Sequence, residues 1–286
     1  MLEGGNTLKM MKKTFFLIIA ALSMLACESQ NDPASTFGVL PGNFSISASH
    51  KVHFSQGNLQ YQASTNTWRF AENQYDTIGI ANSNISATYD GWIDLFGWGT
   101  GRNPTQADVT EEGYNSFADW GANAISNGGN KANSWRTLKQ EEWKYLFYGR
   151  ANAATLFGLG SVNGVNGAII LPDNWVLPDS SSFTPSTTTG MIDWEGYYRD
   201  GLKSHFGDNN YDVQQWKVME LAGAVFLPAA GYRNDLAEYD VGTLGCYWSA
   251  TSNEYSTAYS LNFYSYDIRP QGISSRINGQ SVRLVR

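Results

Sequence analysis

The chain closes on Gly245-Cys-Tyr-Trp-Ser-Ala-Thr251, Ala258-Tyr-Ser-Leu-Asn-Phe-Tyr264 and Arg276-Ile-Asn-Gly-Gln-Ser-Val-Arg-Leu-Val-Arg286. The reading of these segments decides the fold. Apolar and small polar residues alternate with the period of two that an extended backbone imposes. Tyr259, Leu261 and Phe263 then fall on one side of a strand, and Ser260, Asn262 and Tyr264 on the other. The pattern predicts strands anchored on one side and free to present Tyr, Ser, Asn, Asp and Arg on the other. That chemistry suits recognition better than catalysis.

Working outward, Phe44-Ser-Ile46, Val52-His-Phe54, Leu59-Gln-Tyr61 and Trp68-Arg-Phe70 repeat the same period, separated by turn signals such as Gln56-Gly-Asn58 and Thr65-Asn66. The Trp- and Gly-rich stretch from Gly91 to Gly99 lacks periodicity and reads as ordered loop. A helix is expected from Lys139 to Tyr148, capped by Thr137 with Gln140, with Trp143, Leu146 and Phe147 inward and Gly149 stopping it. A second is expected from Val213 to Ala222 with Trp216, Met219 and Leu221 inward, and a weaker third from Phe117 to Ile125. Long loops are expected at Gly158 to Gly167, Pro178 to Gly190 and Asn209 to Tyr211. Few helices and many short strands make an α+β domain spanning residues 37–286, with Trp143, Trp248, Leu261, Phe263, Val282 and Leu284 in its core.

At 286 residues, 42% hydrophobic and only 16% charged, the composition is that of a folded protein. Its 10 Trp, 16 Tyr and 14 Phe exceed what a core of this size needs, so some are expected at a surface and the rest between irregular loops. Lys12 and Lys13 followed by the apolar run Thr14 to Ala26 read as a signal segment over residues 1–26, too short to span a bilayer, with Met10 or Met11 the expected start. Met24-Leu-Ala-Cys27 resembles a bacterial lipoprotein box, which would make Cys27 the lipidated N-terminus ahead of a tether over residues 27–36. Cys246 would then be the remaining thiol, leaving no intramolecular disulfide. The net charge of −7 becomes more negative once three lysines and one glutamate leave with the signal. This balance argues against nucleic acid and leaves the lipid as the membrane attachment.

Motifs for chemistry are sparse. His50 and His53 would lie on opposite sides of a strand and make a poor metal pair. Asp208-Asn-Asn-Tyr-Asp212 starts like a calcium loop, but Val213 and Met219 stand where an EF-hand needs Gly and Glu. Calcium in a mixed loop site stays open, and no other cofactor or metal is expected. Glu141 and Glu142 fit the first turn of the predicted helix, where they complement its dipole. Glu111 and Glu112 form the other adjacent acid pair. No nucleophile elbow, phosphate loop or dinucleotide fingerprint occurs.

Trp135-Arg-Thr-Leu-Lys-Gln-Glu-Glu-Trp-Lys-Tyr145 resembles the helix entry of C-type-lectin-like domains of the formylglycine-generating-enzyme type. Gly223-Ala-Val-Phe-Leu-Pro-Ala-Ala-Gly-Tyr-Arg233 and Gly245 to Thr251 are similar to core strands of that fold in Bacteroidetes lipoproteins. Asn278 to Val285 is similar to the terminus of variable proteins diversified by retroelements. Glu28 and Asp32 resemble the acidic export tethers of such lipoproteins. The resemblance implies a C-type-lectin-like, lipid-anchored outer-membrane protein exposed at the cell surface. It also implies a ligand face at Tyr264, Tyr266, Asp267, Arg269, Ile273, Ser274, Ser275 and Ile277, with Ile268 and Gly272 among the diversifiable positions. Formylglycine-generating enzymes act through paired cysteines, which a lone Cys246 does not provide, so a non-catalytic receptor or adhesin is expected. Its ligand would be a surface protein or glycan. The alternative is a fixed carbohydrate-binding or structural component of a glycan-uptake or fimbrial assembly, using Trp92 or Trp98.

Overall fold

In the computed structural model, which describes residues 38–106, 117–186, 204–254, 256–265 and 267–286, short strands in small sheets surround two short α-helices. The fold is mixed α+β. These residues belong to one compact unit, Ala34–Arg286. The expected signal segment, Cys27, the tether, Glu111, Glu112 and Tyr266 lie outside the described residues.

Strands β1 (Phe44–Ser45) and β2 (Lys51–Val52) pair first, followed by a sheet ordered β4-β3-β5 from β3 (Leu59–Gln62), β4 (Thr67–Phe70) and β5 (Trp92–Ile93). Next come β6 (Arg136–Thr137), α1 (Gln140–Lys144), β7 (Phe157–Val162), β8 (Val165–Ile170), β9 (Asn210–Tyr211), α2 (Val213–Leu221) and β10 (Val225–Pro228). Strands 7 to 10 form one sheet ordered β10-β8-β7-β9. The remainder is the hairpin β11 (Tyr232–Asn234) with β12 (Ala237–Tyr239), then the sheet of β13 (Gly245–Ser252), β14 (Thr257–Tyr264) and β15 (Asp267–Ser275), and β16 (Leu284–Val285), which pairs with β6. The last strand also closes on the first part of the domain, where the N–H of His53 donates to the Arg286 carbonyl at 2.9 Å.

Several expectations change, among them the loop at Asn209 to Tyr211, which holds strand β9, and the helix from Lys139 to Tyr148, which is α only over Gln140–Lys144. The stretch from Gly158 to Gly167 is a hairpin, not a loop: β7 and β8 pair from Phe157↔Ile170 to Val162↔Val165 around Asn163 and Gly164 at φ 51 and 78. Asn-Gly fits such a turn because both positions need positive φ. Phe117 to Ile125 holds only the 3-10 turn Trp120–Ala122, capped by Asp119, which accepts from the Gly121 N–H at 2.9 Å. Leu221 is 68% exposed. It follows Trp216 by five residues, which turns it roughly 140° around the helix from the buried Trp216 and Met219.

Both helices begin with side-chain locks. In α2 the Asp212 carboxylate accepts from the N–H groups of Gln214 and Gln215, both at 2.8 Å, and Gln215 accepts from the Asp212 N–H at 2.9 Å. At α1 the cap lies at Lys139 rather than Thr137, because Thr137 is extended in β6 and its hydroxyl donates to Asp119 at 2.9 Å. Glu142 accepts from the Lys139 N–H at 2.7 Å and receives both arms of Arg136 at 2.7 and 2.8 Å. A single π turn, Tyr145–Gly149, follows α1 directly.

The aromatic surplus resides largely in the core. One cluster gathers Phe44, Phe54, Trp143, Leu146, Phe147, Leu261 and Phe263 around α1. A second joins Tyr61, Trp68, Phe70, Phe96, Trp98, Trp120, Trp135, Trp248, Val282 and Leu284, with ring pairs such as Tyr61–Trp68 at 4.5 Å and Phe70–Trp135 at 4.8 Å. A third surrounds Trp216 and Met219. The loops between short strands leave irregular gaps, and large flat rings fill them.

Asp94 is fully buried, with Asn82 Nδ2 donating to it at 2.7 Å and the Ile78 N–H at 3.0 Å. Burial pushes its carboxyl up from 3.8 to about 6, against the pull of those hydrogen bonds. The folded chain therefore holds this proton more tightly than the unfolded chain. The contribution is full below the unfolded value and is lost as pH rises through the folded one. Urea denaturation is expected to show Asp94 withdrawing up to about 3 kcal/mol between roughly pH 4 and pH 7. Asp94→Asn should remove that component of the slope, and an identical slope in the variant would refute the assignment.

Candidate functional site

The expected ligand segment forms the ribbon of β14 and β15. Partners across an antiparallel pair share a face. The register Gly245↔Phe263, Tyr247↔Leu261, Phe263↔Ile268, Tyr259↔Ile273 and Thr257↔Ser275 therefore defines one face. Cys246↔Asn262, Trp248↔Ser260, Ala258↔Ser274, Asn262↔Arg269 and Tyr264↔Asp267 define the other. Each face is covered over only half its length. The α1 cluster covers Leu261, Phe263 and Ile268 on the first, while the aromatic cluster covers Ala258 beside Trp248 on the second.

This half-and-half cover corrects the simple alternation. Ser260 is completely buried rather than presented, and Tyr259 is only half-buried although it shares a face with Leu261 and Phe263. The positions left at least partly open are Thr257, Tyr259, Ile273 and Ser275 on one face and Asn262, Tyr264, Arg269 and Ser274 on the other.

Two irregularities shape the ribbon. Between the pairs Ser260↔Gly272 and Asn262↔Arg269, β15 spends one more residue than β14, so Pro270 and Gln271 oppose Leu261. Proline lacks an N–H and is tolerated at such a bulge on an edge strand. A Cβ at Gly272 would lie 2.5 Å from Asn262 Nδ2 and 3.1 Å from the Ser260 carbonyl, so a larger residue there requires the Asn262 amide to swing away. On β13 the register slips between Trp248 and Ser252, and the released backbone serves other segments. The Ser249 carbonyl accepts from Trp98 Nε1 at 2.9 Å, and the Ala250 N–H donates to the Leu138 carbonyl at 2.8 Å.

The expected site residues separate accordingly. Tyr264, Asp267 and Arg269 come together with Asn262. Arg269 Nε donates to Asp267 Oδ2 at 2.5 Å, and its guanidinium stands 5.9 Å from the centre of the Tyr264 ring. Asp267 is buried, with Oδ1 lacking a hydrogen-bond partner, so it positions Arg269 rather than standing at the surface. Ile273, 54% exposed, and Ser275 point from the opposite face. The Ser274 hydroxyl lies 3.2 Å from that of buried Ser260, and Ile277 is half-buried in the turn that follows β15. Ile268 and Gly272 are buried. Asn262 is an outward residue on the Tyr264 face that the expected set omitted, although the alternation places it beside Tyr264.

Other candidate chemistry resolves into structural roles. Burial pushes the Cys246 thiol far up, so it is held protonated as a small core group. His50 lies among the hydroxyls of Ser47 and Ser49, and His53 Nδ1 lies 3.3 Å from the Leu40 carbonyl. Asp208 accepts from the His205 N–H at 2.7 Å, Asn209 is buried and bonds Leu159 and Thr184, and Asp212 caps α2. Among the described residues no group of three or more His, Cys, Asp or Glu is arranged to hold a metal. Trp98 is buried, and the face of Trp92 is taken by the Arg69 guanidinium at 3.8 Å. The chain matches no known protein-family model, no curated protein and no solved structure.

Proposed function

We propose that the protein is a non-catalytic ligand-binding receptor or adhesin of C-type-lectin-like fold, tethered outside the cell by a lipid on Cys27, with its ligand face on the β14–β15 ribbon. The observation that carries this reading is the Asn262–Tyr264–Arg269 group. An aromatic ring and a guanidinium stand side by side on a strand pair that is anchored beneath. Arg269 is already fixed by a buried carboxylate, so little side-chain entropy remains to be lost on binding. Tyr and Arg are the residue types that concentrate binding energy in small patches. The ligand is a surface protein or a glycan.

Diversification by a retroelement fits the outward positions Tyr264, Ile273 and Ser275 better than Asp267, Ile268 and Gly272, which are buried. Its genomic sign is an adenine-rich near-copy of the last codons beside a reverse transcriptase gene. Binding is tested by screening the protein against glycan and surface-protein arrays, then titrating the hit. Tyr264→Ala and Arg269→Ala are each expected to weaken binding by about tenfold or more with the melting temperature nearly unchanged. Full affinity in both folded variants would move the site off this face.

A further inference from the structure

Away from the ribbon, a cavity of about 540 Å³ opens between the 3-10 turn Gly79–Ser83 and the β11–β12 hairpin, lined by Ile80, Ser83, Leu236, Ala237, Glu238 and Val241. Its walls carry apolar side chains that the fold leaves in water: Ile80 is 84% exposed, Leu236 56% and Val241 48%. Isolated exposed apolar residues are ordinary, but three around one concavity mark a contact surface.

Glu238 is the one charged wall. Its carboxylate accepts from the backbone N–H of Asn82, while Oε1 is shut off from water without any hydrogen-bond partner. An ionised oxygen in that state is costly and is stabilised by any donor brought to it. Its cross-strand neighbour does not serve. Arg233, opposite Glu238 in the hairpin register, is fully buried and turns its guanidinium against Gly279, with Nη1 donating to the Asp235 carbonyl at 2.5 Å. Nε and Nη2 of Arg233 have no partner, and the residue forms no part of the cavity lining. The Arg233 guanidinium is shared between the charges of Asp235 and Glu238, and Asp94 behind Asn82 adds a further carboxylate that Glu238 repels, so negative charge is in excess around the cavity. The chain's net charge of −7 favours the approach of a cation as well.

We propose that this cavity is a second ligand site, separate from the ribbon, for an organic cation. The apolar body packs on Ile80, Leu236 and Val241, and an ammonium or guanidinium head bonds Glu238. Glu238 is itself a wall of the cavity, so binding the head requires its carboxylate to turn from the Asn82 N–H until Oε1 faces the cavity.

The test titrates the full chain with n-hexylammonium and with the neutral n-hexanol, followed by amide chemical shifts. Hexylammonium is expected to bind saturably and about tenfold or more tightly than hexanol, with shifts centred on residues 79–83 and 236–241. Glu238→Gln should abolish the preference for the cation. Leu236→Lys, on an exposed rim position where folding is not at risk, should weaken both probes and the cation more. Tyr264→Ala should leave both affinities unchanged. Equal binding of the two probes, or a cation preference that persists in Glu238→Gln, overturns the proposal. So does loss of binding in Tyr264→Ala, which would place the cation on the ribbon instead.

Discussion

Replacing Arg283 with methionine is expected to destabilise the folded chain by about 3–5 kcal/mol, read as a lower urea midpoint at unchanged m-value. Arg283 is almost fully buried and ties three separate segments together. Its Nε donates to Asn58 Oδ1 at 3.1 Å, Nη1 to the Ser55 carbonyl at 3.0 Å and Nη2 to the Phe226 carbonyl at 2.7 Å. Asn58 in turn donates to the Tyr247 hydroxyl at 3.2 Å, and that hydroxyl donates to the Pro228 carbonyl at 2.8 Å. Burial lowers the guanidinium only to about 10, so it stays charged. Methionine would fill similar volume and relieve the buried charge, which argues for a smaller effect. Against that, three acceptors inside the protein would lose their donors at about 1–3 kcal/mol each, and no water reaches them. The second term wins because Glu220, the carboxylate that favours the charge, acts only through space, while the guanidinium's hydrogen bonds go to these three buried acceptors. Arg283→Lys should recover only part of the loss, since one ammonium cannot reach three divergent acceptors. A neutral methionine variant would show that desolvation had outweighed the network.

Much of the local structure can be read from residues whose meaning does not depend on distant partners. Asp212 followed by Gln215 starts α2, and the alternation at Leu59–Tyr61 and Trp68–Phe70 gives paired strands. Trp143, Trp248, Leu261, Phe263, Val282 and Leu284 are all in the core as expected. The hairpin at Asn163-Gly164 carried its own signal, but glycines at 158, 160 and 167 depress strand propensity around it. Two of them are forced by contact rather than by turn geometry, since a Cβ on Gly160 would lie 2.3 Å from the Asn209 carbonyl and one on Gly167 2.4 Å from the Phe226 ring. The ribbon's outer surface was less legible for a different reason. Period two assigns Ser260 and Tyr264 to one face, but what buries Ser260 and leaves Tyr264 half-exposed is cover from segments more than a hundred residues away. Asp267 shows the same limit: a carboxylate in a polar stretch reads as surface until its neighbour Arg269 is seen to fold back on it.

Trp98→Ala is expected to cost about 3–5 kcal/mol and to loosen the ribbon from its base. Trp98 works on three contacts at once. Its Nε1 holds the Ser249 carbonyl in the β13 bulge at 2.9 Å, its ring packs on Phe117 at 4.9 Å, and the Arg276 guanidinium lies 4.5 Å above it. Arg276 Nε then donates to the Thr257 carbonyl at 2.9 Å, so the tryptophan reaches the first residue of β14 through the arginine. Removing the ring deletes a large buried side chain and orphans the Ser249 carbonyl. Arg276 would also lose the aromatic face that partly repays its burial. Hydrogen exchange should quicken first at residues 249–251 and 256–258, while the turn end of the ribbon at Tyr264 and Arg269, anchored by Phe263 and Ile268 in the α1 cluster, changes less. Trp98→Phe should keep the packing and lose only the hydrogen bond, for about 1–2 kcal/mol. The alternative in which Trp98 contacts a glycan predicts the reverse pattern: binding lost in Trp98→Ala at unchanged stability. A ring already committed on its edge and its face to Ser249, Phe117 and Arg276 has no surface left for a sugar, so the stability loss is the expected result.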